Sequence, residues 1–126
     1  MRMRTAADAA RFVDRCLDGE PISQAGVIVF GLDGERFPCG VALNERRASV
    51  TELSVHELLL VGEELQTDTL VLAEVVVGAG AAPCVEALQL FTRLSAECDR
   101  VGLVLLDAVT ISRDNWWSWR EDGATF

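Results

Sequence analysis

Lysine and tyrosine are absent from this chain of 126 residues, histidine occurs once, and no two cysteines stand at C-x-x-C spacing. Each absence removes a class of protein. With no lysine, the cations are eleven arginines against twenty acidic residues, a net charge of -9. The deficit is concentrated: residues 51–100 carry two arginines and nine acids, whereas residues 1–50 carry seven of each. Such a surface repels phosphate backbones, so nucleic acid is not an expected partner. A structural zinc site wants four thiolate or imidazole ligands in paired spacings. Cys16, Cys39, Cys84, Cys98 and the lone His56 offer no such pairs, and three of the four cysteines have apolar neighbours. Buried free thiols are the expectation, and no metal. No apolar run reaches the roughly 20 residues of a membrane helix; the longest, 75–85, is bounded by Glu74 and Glu86. Asp8, Arg11 and Asp14 interrupt what would be the apolar stretch of a signal peptide. A cytoplasmic protein with no membrane association is expected.

What remains is ordinary globular composition, 50% hydrophobic and 25% charged, enough for one domain over residues 1–126. Thr5, with Asp8 three residues on, caps an N-terminal helix within residues 1–20. Ala9, Phe12, Val13, Cys16 and Leu17 form its apolar face, and Gly19 stops it. "GVIVF" and "RFPCGVAL" read as a hairpin around Asp33-Gly34, with Pro38 marking an edge or a bulge. Ser54 and Glu57 form a capping box for a second helix that buries Leu58, Val61 and Leu65. "TLVLAEVVV" is apolar on both faces, as a central strand is. Gly78-Ala79-Gly80 breaks it, and Pro83 fits the first turn of a long helix with Val85, Leu88, Phe91, Leu94, Cys98 and Val101 as its buried stripe. "GLVLLDAVTI" and "WWSWRE" are two further strands. The order α-β-β-α-β-α-β-β predicts an α+β fold, a mixed sheet flanked by helices in an α/β/α arrangement.

The stretch from Ala73 onward resembles the RadC-type branch of the JAB/MPN metalloprotease-like superfamily. The matching segments are Leu90 to Leu94, Gly102 to Asp107 and Trp117 to Glu121, aligned without a gap back to Ala73. The earlier hairpin and helix fit in order, so the resemblance spans residues 22–126. In that family a strand ends in A-H-N-H-P-S-G, and two histidines and an aspartate hold zinc. A hairpin glutamate acts as general base on the zinc-bound water. The resemblance places the first histidine at Glu74, the second at Val76, the aspartate at Ala87 and a conserved serine at Cys84. The hairpin glutamate falls near Gly40 to Ala42, where no acid stands. It therefore implies a non-catalytic relative with no cofactor, a protein-interaction or scaffolding module that pairs with a partner or with a second copy as a homodimer.

Four features call for separate readings. Glu74 interrupts an apolar strand and needs a partner: an arginine, water at the sheet end, or a remnant polar pocket. Gly78, Gly80 and Pro83 ahead of a helix, with Asp107 ending the next strand, mimic a dinucleotide fingerprint. They define an alternative, a phosphate or small-molecule binder at a helix N-terminus. Pro83 stands where the third glycine would be, and only one β-α-β unit is present. His56, in the first turn of a capped helix with no nucleophile assigned to it, reads as structural or exposed. Trp116, Trp117 and Trp119 lie on an expected edge strand. Trp117 and Trp119 share one face and Trp116 takes the other, either as core or as an interface.

Overall fold

The structure is a computed structural model, described for residues 2–16, 26–44, 47–78, 82–112 and 115–120. Helix α1 spans Ala6–Cys16, strands β1 and β2 span Gly26–Leu32 and Pro38–Asn44, and a 3₁₀ turn covers Val50–Glu52. Helix α2 (Val55–Leu65), strand β3 (Thr69–Val75), helix α3 (Val85–Arg100) and strands β4 (Val104–Ile111) and β5 (Trp116–Ser118) complete it. The elements follow the expected order; only the 3₁₀ turn was not foreseen. Leu17, Gly19, Gly80 and Glu121 lie outside the described residues.

The strands form one mixed sheet in the order β2-β1-β3-β4-β5. β3 runs parallel to β4, and every other pair is antiparallel. The fold is α+β, in three layers. On one face Val27, Val29, Leu70, Leu72, Leu105 and Ala108 pack with Leu58 of α2 and Phe91, Leu94 and Cys98 of α3. On the other, Ile28, Phe30, Val71, Ala73, Val109 and Ile111 pack with Ala6, Ala9, Ala10 and Val13 of α1. Alternation at period two sends neighbours to opposite layers, so a central strand buried on both sides is apolar throughout. Among the described residues, no helix is long and apolar enough to cross a membrane.

The caps follow the sequence closely. Thr5 Oγ1 accepts the Asp8 N–H at 3.3 Å, and Asp8 Oδ2 accepts the Thr5 N–H at 3.2 Å, a reciprocal capping box. At α2, Ser54 Oγ accepts the Glu57 N–H at 3.2 Å. Glu57 does not reach back to a backbone N–H: its Oε1 accepts from the Ser54 hydroxyl and from Arg47 at 3.0 Å. In the hairpin the left-handed residue is Arg36 (φ 72°), not Gly34, because Asp33 Oδ1 holds the turn by accepting the Glu35 and Phe37 N–H groups. Pro38 lies on the outermost strand, where the pairing register shifts between Gly31 and Leu32. α3 ends as the Gly102 backbone takes φ +80°, a conformation that costs glycine nothing.

Several expectations are corrected. Cys98 is buried, but Cys16, Cys39 and Cys84 are exposed. Apolar neighbours in sequence do not bury a thiol that falls at a helix end or on an edge strand. Pro83 precedes α3 rather than entering its first turn, since Cys84 is the N-cap. Val85 (68% exposed) and Val101 (50%) lie at the two ends of α3, beyond the reach of the sheet beneath it. Ser95, not a residue of the expected stripe, is buried instead.

Candidate functional site

The parallel pair β3/β4 and the helix between them place strand ends and a helix start together, the usual location of a site in a βαβ unit. Glu74 is the penultimate residue of β3 and faces the α2/α3 layer with Leu70 and Leu72. Its carboxylate is half-buried and fully engaged in a polar cluster. Oε1 accepts the Ser49 hydroxyl at 2.9 Å and the Val50 N–H at 3.1 Å. Oε2 accepts the Thr110 hydroxyl at 3.2 Å. Thr110 Oγ1 in turn accepts the indole N–H of Trp119 at 2.7 Å. Ser49 Oγ also accepts the Thr51 N–H and hydroxyl at 3.3 and 3.0 Å. One carboxylate thus ties the 3₁₀ turn to β3 and β4, and through Thr110 to the residue that follows β5.

Of the three partners anticipated for Glu74, the arginine is not found among its hydrogen bonds, and the donors are two hydroxyls and a backbone N–H. The position is at the sheet end, as anticipated. Ser49, Val50 and Thr110 were not foreseen as its partners. A signal was available: Ser49-x-x-Glu52 repeats the spacing of Ser54-x-x-Glu57, and Glu52 Oε1 does accept the Ala48 N–H at 3.2 Å.

The other positions singled out by the resemblance carry no donor set for a metal. Val76 follows β3 and its N–H bonds the Ile111 carbonyl at 2.9 Å. Ala87, in the first turn of α3, packs against the apolar core of the α2/α3 layer. Cys84 is exposed at the N-cap and makes no side-chain capping bond. Among the described residues, no three of His, Cys, Asp and Glu gather closely enough to hold a metal ion. The zinc that the resembled family binds does not fit these side chains: the one carboxylate is already bonded by three donors, and Val76 and Ala87 are aliphatic. His56 is exposed on α2.

Asp107 is separated from the glycine loop it was grouped with. β4 does not end there but continues to Ile111, four residues or about 13 Å further. Gly78 (φ +82°) sits beyond the far end of β3, and Gly80 lies outside the described residues. Asp107 is 1% exposed. Its oxygens accept from the Ser118 hydroxyl, the Ala108 N–H at 2.7 Å and the Arg120 N–H at 3.1 Å. Burial pushes the carboxyl above its ordinary range, while those hydrogen bonds and the nearby Arg120 charge pull the other way. Arg120 caps the Leu106 and Leu105 carbonyls and the Ser95 hydroxyl, each at 2.7 Å, and lies 5.2 Å from the Phe91 ring centroid. Buried and holding three donors, Asp107 acts as a clamp on β5 and the chain after it rather than facing the glycine loop.

The three tryptophans divide as alternation requires. Trp119 is 5% exposed, edge-on to Phe91 with ring centroids 5.8 Å apart, and is core rather than interface. Trp116 packs against the α1 layer and Trp117 is half-buried, both on the outer strand β5. No protein-family model matches this chain, and no curated protein matches it significantly.

Proposed function

We propose that the chain is a non-catalytic, RadC-like member of the JAB/MPN superfamily, a cytoplasmic protein-interaction module rather than a hydrolase. One observation carries the reading. Where the resembled family would place its zinc ligands, Glu74 is bonded to Ser49, Val50 and Thr110 while Val76 and Ala87 offer no donor. The carboxylate ties β3 to the 3₁₀ turn and to β4, where the family's zinc would join β3 to α3, and no activated water is held there. With no group on those positions able to lower the pKa of water, the surfaces are what is left to act.

Elemental analysis of dialysed protein tests this directly. Far less than one zinc per chain is expected, and no gain in melting temperature on adding zinc. About one tightly held zinc per chain would overturn the reading. Light scattering then reports whether the module pairs with a second copy or awaits a different protein.

A further inference from the structure

Among the described residues, no strand covers the outer edge of the sheet at β2. Among the described residues β2 pairs with β1 alone, and its seven residues Pro38–Asn44 include no charged side chain. Proteins ordinarily protect such an edge, since its unpaired N–H and C=O groups template another strand. Here the protection covers only the start of the strand. Pro38 has no N–H, and the register shift leaves Cys39 without a partner on β1. From Gly40 to Asn44 the pairing with β1 is regular, and Val41 is 43% exposed.

Beside this edge, between α2 and the sheet, lies a cleft of about 230 Å³. Val29, Ala42, Leu58 and Val61 make it apolar, and Glu57 and Glu64 line it from α2. Ala42 is too short to fill it. In paired strands, residues directly opposite share a face. A strand added to β2 would therefore hold the side chain opposite Ala42 over the cleft. Main-chain hydrogen bonds along an edge with a side-chain pocket beside it are the two components of recognition by strand addition. The charge of the cleft selects what flanks that side chain. Arg47 neutralises Glu57 at 3.0 Å, whereas Glu64 has no ion pair among the described residues. Glu63 and Glu64 follow each other on a helix whose own residues, 55–65, include no arginine.

We propose that β2 and this cleft bind an extended segment of a partner protein, one with an aliphatic side chain between basic ones, as a sixth strand of the sheet. The proposal rests on the interaction-module reading and names the surface and the chemistry of the partner.

The probe is a short blocked peptide of alternating arginine and valine, with a glutamate-valine peptide as its counterpart, titrated into isotope-labelled protein. Amide shifts are expected along Gly40–Asn44 and at Leu58 and Val61, for the basic peptide only. Ala42→Leu, which fills the cleft, and Glu64→Arg, on the exposed side of α2, are each expected to weaken binding about tenfold or more. Melting curves of both variants verify that they remain folded. Shifts centred elsewhere, no shifts, equal binding of the acidic peptide, or full affinity in both variants would overturn the proposal. A dimer by light scattering that Ala42→Leu dissolves would overturn it too, by giving the edge to a second copy. Zinc content separates the two readings: metal in the protein defeats the non-catalytic reading and leaves these shifts to decide the edge on their own.

Discussion

Two carboxylates lie within the sheet, and they do the same kind of work in different surroundings. Glu74 sits at the end of β3, half-buried, with neutral donors from a 3₁₀ turn and from β4. Asp107 sits mid-strand in β4, buried, with the Ser118 hydroxyl and the Ala108 and Arg120 N–H groups. The first stands where the resembled family holds a metal ligand, and the second where only the alternative, nucleotide-binding reading puts a ligand for ribose. Both act as mechanical ties instead. The difference is in what can replace them. Glu74 and its donor Ser49 are half-buried, within reach of water, whereas Asp107 is shut in by the segment it holds.

That contrast sets the order of effects. Asp107→Ala takes the acceptor from the Ala108 and Arg120 N–H groups and removes the bond from Ser118, and is expected to cost about 3 kcal/mol in urea unfolding. Glu74→Ala is expected to cost less, about 1–2 kcal/mol, since Glu74 and Ser49 are only half-buried and water can take the place of the carboxylate, and Glu74→Gln about half of that. If the Glu74 variant proved the more damaging, the tie at β3 would be the principal one and the comparison would reverse. Acidity sharpens the same contrast. The folded Asp107 pKa is raised above its ordinary value of 3.8, so the native state holds more protons than the unfolded chain between the two values. Its contribution to stability is fully present below 3.8 and is lost as pH rises through the folded value. Wild type should therefore gain stability relative to Asp107→Asn as pH is lowered from neutral toward 4, read from melts across that range. The smallest effect is chemical. Cys16, Cys39 and Cys84 should react promptly with a thiol reagent. Cys98, buried and with its pKa pushed up to about 11, should wait for unfolding.

Much of the fold was legible because local rules agree with one another. Thr5 and Ser54 announce helix starts, Asp33-Gly34 announces the hairpin, and the nearly continuous apolar run of β3 announces its central place. The α+β class follows from the order of these elements. Less could be read where a residue's role depends on a distant partner. Nothing near Asp107 in sequence says that Ser118 and Arg120 return to it. Nothing near Glu74 says that Ser49 lies across from it, because the turn carrying Ser49 is too short for periodicity to show. Helix ends misled in a different way: Val85 and Val101 keep the spacing of the buried stripe but overrun the sheet, which supplies the burial.

Trp119 closes the α2/α3 layer from the far side of the sequence. It rests on Phe91 and bonds Thr110, and the backbone beside it is clamped by Asp107. The strands it seals are all made earlier by the ribosome. A nascent chain that has extruded β1 to β4 therefore carries a sheet with one wall unfinished, and its cooperative folding waits for residues 116–120 to emerge.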